Sequence, residues 1–390
     1  FIHTQKFFAA DKVRSSAMID QTSIIVSFCI PVYNNSEGAL KIVRALLNSI
    51  DTRFEVVVCD DLSTDGVQEL LAEIHDDRFK YFRNDTNLGA HQNWLKSLEF
   101  GQGKWLYLIM GRDRVNGEYI TRLIDLLEQV CIDGVVYVKD TESYQVGERD
   151  YTGKAWSKLF SGIDAMAKFI NYNHQTSEIF LREALMSVSE RKKYFSIADM
   201  YPENYAIRDM LLNGKGALIH SGVRNTGCFT DTSRVISKVE YAVDLEKAYF
   251  APARRIKQFF EQIDMIDSLP SGTFTRKELD KFFRRKYYGM LMIISEKFRA
   301  WCREPDTMAH YGHSVKYVTI PEMIRNIIKA YHSTKDHLKT EGRYTFTRQS
   351  IMSWCTVKAA ICAPIMSEAR IIFRALGIYS VIRYVRNLLV

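Results

Sequence analysis

Residues 24–30, IIVSFCI, form an unbroken apolar run rich in β-branched side chains and closed by Pro31, the pattern of a strand buried on both faces. Ser36 stands where a helix would be capped, and Leu40, Val43, Leu47 and Ile50 recur behind it at helical spacing. The alternation then repeats. FEVVVC at 54–59 predicts a second buried strand, Val67, Leu70, Leu71 and Ile74 one face of a helix, and residues 79–82 a short strand. A loop over 84–89 leads into a helix through Trp94, Leu95 and Leu98, and residues 105–110 predict the next strand. Strands alternating with helices imply right-handed crossovers and a mostly parallel sheet covered on both faces. Such a sheet takes its ligands outside the carboxyl ends of its strands.

Further strand signals fall at 135–138 and 217–220, with helical patterns near 162–170 and 203–213 between them. Beyond about residue 235 the pattern changes to long helices with clustered Lys and Arg. The expected organisation is an N-terminal extension at 1–23, an α/β domain at 24–240 and a basic helical region at 241–390. Met18 is a candidate natural start, with the residues before it a foreign remnant.

Charge sharpens this division. Residues 251–390 carry 24 Lys and Arg against 12 Asp and Glu, whereas the first 250 carry 29 against 34, so the two regions are expected to do different jobs. The seven cysteines include no C-x-x-C pair, which suits neither a zinc module nor a disulfide framework and points to a reducing compartment. Lys6 and Asp11 interrupt any apolar core near the N-terminus, which makes it a poor secretory signal. No stretch of about 18 apolar residues lacks a charge, so no bilayer-spanning helix is expected.

Candidate chemistry gathers at the strand ends: Pro31, Val32, Tyr33 and Asn34 after the first, Asp60 and Asp61 after the second, and Gly111, Arg112, Asp113 and Arg114 after the fourth. There is neither a Gly-rich dinucleotide fingerprint after the first strand nor a phosphate-cradling G-x-x-x-x-G-K-[ST], which argues against NAD enzymes and P-loop ATPases. Carboxylates at such turns can accept from a base N–H and ribose hydroxyls, or hold a divalent cation against a pyrophosphate. They can also simply cap the following helix.

The segments SFCIPVYNN, VVVCDDLSTDG and NDTNLGAHQNWLKSLEFGQGKWLYLIMGRDRV, in this order, resemble the donor half of inverting family 2 glycosyltransferases of GT-A fold. The likeness is to bacterial enzymes that build O-antigen, capsule and related surface polysaccharides, and it covers roughly residues 24–230. It implies a Rossmann-like, mostly parallel sheet flanked by helices. Pro31, Val32 and Tyr33 would then pack around the nucleobase of a nucleotide-sugar, a UDP-sugar in the first instance. Asp61, with Asp60 as the other candidate, would pair with that base, and Arg83 would approach the nucleotide. Where the family carries D-x-D or S-D-D, this chain has Asp113 between Arg112 and Arg114. The resemblance therefore leaves two accounts open: Mg²⁺ or Mn²⁺ held by Asp113, with His220 a further ligand candidate, or the two arginines neutralising the diphosphate themselves. The family's E-D pair is Glu203-Asn204 here, and Asn cannot act as a base. Glu203 becomes the expected catalytic base, with Asp199 and Asp209 behind it.

In the C-terminal region Arg276, Lys277, Lys281, Arg284, Arg285 and Lys286 interleave with Phe282, Phe283, Tyr287 and Tyr288, and residues 370–390 mix Arg with aliphatic side chains. This suits either helices lying on an anionic membrane or a helical domain whose Arg stems cover its own core. No nucleic-acid-binding motif is present, and no nucleic-acid partner is expected. The overall expectation is a cytoplasmic, membrane-peripheral transferase acting on a lipid-linked saccharide. The alternative is an inactive GT-A-like subunit that binds nucleotide-sugar or glycan.

Overall fold

The computed structural model describes residues 24–111, 113–115, 120–129, 132, 134–139, 156–170, 178–197, 201–220, 228–230, 251–302 and 318–375. Eight strands make one sheet in the order β3-β2-β1-β4-β8-β6-β9-β7. They are β1 Val26–Val32, β2 Phe54–Asp60, β3 Phe79–Arg83, β4 Trp105–Leu108, β6 Gly134–Lys139, β7 Trp156–Phe160, β8 Glu178–Leu181 and β9 Lys215–His220. The β1–β2, β2–β3, β1–β4 and β6–β9 pairings are parallel, while β8 runs antiparallel between β4 and β6, and β7 antiparallel to β9. A separate ribbon pairs β5 Asp113–Val115 with β10 Cys228–Thr230.

The four predicted strands of the first half and their helices are present: α1 Ser36–Leu47, α2 Val67–Ala72 and α3 Ala90–Phe100. The helix after Ser36 stops at Leu47, however, and Ile50, assigned to its apolar face, is 96% exposed. Strands β5, β7, β8 and β10 went unread in the sequence. They are three to five residues long, too short for a periodicity to declare itself.

Alternation along the strands divides two cores. Val26, Phe28, Ile30 and Val32 of β1 face a cluster completed by α1, α2 and α4 Ile120–Glu128. Cys29 of β1 and Leu106 and Leu108 of β4 face the other side, which α3, α5 Gly162–Phe169 and α8 Glu203–Asn213 cover. That second cluster does not end with the α/β half. It continues through α9 Pro252–Asp267, α10 Arg276–Met292, α12 Ile320–Thr340 and α13 Phe346–Ala375. A π-helical turn at Ile293–Lys297 joins α10 to the short α11 Phe298–Trp301. Between α5 and α8 lie α6 Arg182–Ser187 and α7 Arg191–Ile197. The pattern change near residue 240 therefore separates two sequence textures that share one hydrophobic core.

The basic, aromatic pattern of α10 is corrected by this packing. Phe282, Phe283 and Tyr287 are buried in the shared core, so they are unavailable to a membrane. Several of the region's cations are internal too. Arg348 is buried and grips Asp267 with two hydrogen bonds of 2.6 and 2.8 Å while lying over the Phe283 ring. Arg343 pairs with Asp264 and Asp267, and His337 Nε2 lies 2.9 Å from Asp264 Oδ1, which ties α9, α12 and α13 together.

Lys286 is the extreme case. Its ammonium donates to the Ile170 carbonyl at the end of α5, and burial, reinforced by neighbouring Arg285, depresses its pKa to about 7. Because the unfolded chain holds that proton up to about pH 10.5, it binds more protons than the folded chain between about pH 7 and 10.5. Stability should therefore rise with pH across this window. Lys286→Met should flatten the rise and stabilise the protein at pH 7 by on the order of a few kcal/mol. Urea unfolding of both proteins at a series of pH values checks this, and parallel curves would refute it.

Candidate active site

Parallel pairing places the carboxyl ends of β1–β4 on one edge, with Val32 opposite Asp60 and Asp60 opposite Arg83. Tyr33, Asp60, Asp61 and Arg83 are thereby brought together. Because β8 is antiparallel to both β4 and β6, β6 and β9 run in the direction of β1, and His220 ends β9 on this same edge. Helix α8 is joined to β9 by the single residue Gly214 and packs on β6 and β9. Eleven helical residues span about 16 Å and six strand residues about 20 Å, so Glu203 at the start of α8 returns to that edge. Glu203 is buried there in the first helical turn, where a carboxylate is favoured by the helix dipole. The other carboxylate of α8, Asp209, is held by Tyr194 Oη at 2.8 Å and Arg208 Nε at 2.7 Å, which removes it as a free base.

The strand-end loops are cross-linked. Asp60 is fully buried: its Oδ1 accepts from the Ser63 N–H at 2.9 Å, and its Oδ2 from Tyr81 Oη at 2.7 Å and Arg83 Nη1 at 2.8 Å. Burial and the bond to Asp60 push the Tyr81 phenol well above its ordinary pKa, so it remains a donor. Asp61 is buried as well, and it accepts from Asn84 Nδ2 and from the backbone N–H groups of Leu88 and Gly89 at 2.8, 2.8 and 2.9 Å. Gly89, at φ +81°, supplies the turn that aims these amides. Asn84 also donates to Asn93 Oδ1, and Asn93 Nδ2 donates to the Cys59 carbonyl at 3.0 Å, so α3 is tied to the strand ends.

The first loop is joined to its neighbours in the same way. The Asn34 N–H donates to Ser63 Oγ, the Thr64 N–H to Asn34 Oδ1 and the Ser36 N–H to Asp65 Oδ2, at 2.9, 2.8 and 2.7 Å. Asp65 thus satisfies an amide at the start of α1 across the loops, which a reading confined to its own helix would not reveal. Asn35 Nδ2 donates to the Gly111 carbonyl at 2.9 Å. A Cβ on Gly38 would lie 2.4 Å from that oxygen, so the first turn of α1 can approach the fourth strand's end only as glycine. Among the described residues the two non-glycine positions with left-handed backbone are Asn34 (φ 48°) and Leu62 (φ 63°), both in these loops. Backbone strain of this kind, on the order of 1–3 kcal/mol per residue, persists where the surroundings enforce it and clusters at functional sites.

Of the predicted residues, Pro31 and Val32 are buried in β1 and Tyr33 is 55% exposed beside Asn34. Asp60 and Asp61, the two candidates for pairing with the base, are each hydrogen-bonded three times within the protein, Asp61 to the 84–89 loop. Asp113 and Arg114 lie in β5, where their backbones pair with Thr230 and Phe229. Their side chains, that of His220, and the whole of Arg112 and Asp199 lie outside the described residues. Asn34 was marked only by its place after the first strand, and Asn84 and Asn93 were missed as site residues. Their signal was weak: Asn is the residue type that tolerates left-handed backbone and offers both donors and an acceptor to buried loops.

Fold and edge together define a Rossmann-like α/β protein of GT-A type, with its candidate site at the carboxyl ends of the strands. Residues 27–188 match the family model described as glycosyl transferase family 2. It is 33% identical over 96 residues to the abequosyltransferase RfbV of Salmonella typhimurium, a match covering 23% of this chain and 28% of that protein. It is 22% identical over 118 residues to a putative colanic acid biosynthesis glycosyl transferase, WcaA, of Escherichia coli, covering 30% and 42%. The match thus spans well under half the length of these curated relatives. Residues 1–349 of S. aureus TarS share the fold with a TM-score of 0.51 at 13% identity, over 89% of this chain and 91% of that one.

The bonding of Asp61 generates a test. Asp61→Ala leaves the Leu88 and Gly89 amides and the Asn84 side chain without their acceptor. It should lower stability by about 1.5–3 kcal/mol or more, read as a drop in urea midpoint at unchanged m. A mutant of native stability that has lost only nucleotide affinity would return Asp61 to the ligand-facing role first expected of it.

Proposed function

We propose that the chain is an inverting glycosyltransferase that moves a sugar from a nucleotide-sugar donor, a UDP-sugar in the first instance, to a lipid-linked saccharide in bacterial surface polysaccharide synthesis. The observation that carries this reading is the single edge that holds the cross-linked, strained loops of a family 2 domain and the Glu203 end of α8. In the reaction the acceptor hydroxyl attacks the anomeric carbon from the face opposite the nucleoside diphosphate. The new C–O bond forms as the C–O bond to the diphosphate breaks, the diphosphate leaves with the electron pair, and Glu203 takes the hydroxyl proton. In this reading the exposed Tyr33 ring, with Pro31 and Val32 at the end of β1, would pack against the base, and Arg83, whose guanidinium is held by Asp60 and the Ser63 carbonyl, would place its charge near the nucleotide.

The cation question is carried by Asp113 and its neighbours. Asp113 is the one carboxylate that remains at the family's metal motif, so the chain would contribute few ligands to a metal. That fits Mg²⁺ or Mn²⁺ bound mainly to diphosphate oxygens and water, since such an ion needs only one or two protein ligands. Asp113 and His220 are the residues that would hold it, and when bound it would neutralise charge on the diphosphate. In the other account Arg112 and Arg114 supply that charge themselves.

Glu203→Gln should keep donor affinity and lower kcat by about 10² to 10⁴, measured as transfer with a saturating donor. Near-normal turnover would remove Glu203 from the reaction. A fully folded wild-type protein that binds nucleotide-sugar yet neither hydrolyses nor transfers it would favour the binding-subunit alternative, which Asn204 at the E-D pair motivates. Chelator separates the two charge accounts. With metal, chelation and Asp113→Asn should both abolish transfer; with arginine, chelation should change little and Arg112→Ala or Arg114→Ala should be the severe change.

A further inference from the structure

The long helix α13 has two unlike faces. Met352, Cys355, Ala359, Ala363 and Met366 are buried against the neighbouring helices. On the other side Phe346, Trp354, Val357, Ile361 and Ile365 form a stripe, each between 56% and 84% exposed, extending about 29 Å at 1.5 Å per residue. Arg348 and Lys358 are the sole charged residues from 346 to 367, and Glu368, the first carboxylate, is engaged by Arg299 at 2.6 Å.

Cations border the stripe. Lys358 Nζ lies 5.1 Å from the ring centres of both Trp354 and Tyr288. Arg276 of α10 bonds Thr345 and Tyr287 bonds Thr356, so α10 runs parallel beside α13. Exposed Arg284 lies one helical turn before Tyr288 on the same face of α10, which sets it beside the Lys358–Trp354 cluster. By length and composition the segment Phe346–Glu368 would pass for a membrane span, at mean hydropathy 1.2. Its inner face is nevertheless part of the protein core, and Arg348 is locked to Asp267 within it. A helix so anchored can lie in an interface and cannot cross a bilayer without dismantling that core.

We infer that the outer face of α13 is a membrane-docking surface, which lays Trp354, Val357, Ile361 and Ile365 into the headgroup and acyl boundary of an anionic bilayer while Arg284 and Lys358 meet its phosphates. The uncharged stripe bordered by cations and free of carboxylates selects a negatively charged lipid surface over a protein partner of mixed charge. Of the two patterns that suggested a membrane contact, the α10 aromatics are internal and residues 376–390 lie outside the described residues, so the contact inferred here falls on a different surface. It rests on the proposed reading that the acceptor is lipid-borne, because an edge-opening site on a surface-docked protein would meet such an acceptor directly.

The test is co-sedimentation of the full chain with phosphatidylglycerol–phosphatidylethanolamine vesicles and with neutral phosphatidylcholine vesicles. Binding to the anionic vesicles should weaken several-fold from 0.1 M to 1 M salt, as the Debye length falls from about 10 Å to about 3 Å. Val357→Ser with Ile361→Ser, both exposed and tolerable to the fold, should reduce partition at least tenfold. Arg284→Gln with Lys358→Gln should reduce it several-fold on anionic vesicles alone. Brominated lipids should quench an emission component that disappears in Trp354→Phe. Wild-type partition in the serine variant, or a stripe that drives dimerisation in light scattering while vesicles go unbound, overturns the surface. Nucleotide-sugar binding, followed by thermal shift without lipid, is measured separately: its loss in the wild type would overturn the glycosyltransferase reading and leave the docking result standing.

Discussion

Two successive buried carboxylates end β2, and a buried carboxylate must find donors. Asp60 finds them in Ser63, Tyr81 and Arg83, and Asp61 in Asn84, Leu88 and Gly89. Each reaches from β2 to the strand end or loop beside it, so satisfying them fixes the mutual position of two of the loops on the ligand edge. The first loop is then locked by Asn34 and Asp65, and the fourth strand's end by Asn35. The rest of the edge depends on this chain of polar contacts, since loops carry few apolar contacts of their own and would otherwise move independently.

The same economy explains why the helical region belongs to the body. The side of the sheet bearing Cys29, Leu106 and Leu108 is covered by α3, α5 and α8, and these in turn bury against α9 and α10. Lys281 of α10 pairs with Asp164 of α5 at 2.7 Å, and Arg208 of α8 donates to the Met265 carbonyl of α9 at 3.3 Å. Glu203 begins α8, so the proposed base is braced from behind by the region whose sequence looked like a separate module. A basic helical composition thus serves two different ends: Arg348 and Lys286 are internal and the half-buried Arg343 is tied up in ion pairs, whereas Arg284 and Lys358 remain at the surface beside an apolar stripe.

What the sequence alone determined is what local pattern can encode. Runs of seven and six residues dominated by β-branched and aromatic side chains marked β1 and β2, and 3.6-residue spacing marked α1 and α2, so the α/β character was legible in the sequence. The ordered motifs at 27–35, 56–66 and 84–115 all fall within the residues that match the family 2 model. Only the tertiary structure decided the direction of β8, because a four-residue strand has no signature of orientation, and that direction places His220 and Glu203 on the ligand edge. Tertiary structure alone also decided that Asp61 faces a loop, that the α10 aromatics face inward and that one side of α13 faces out. Each is a question of which partner lies across from a side chain, and those partners are tens of residues away along the chain, beyond the reach of any local period.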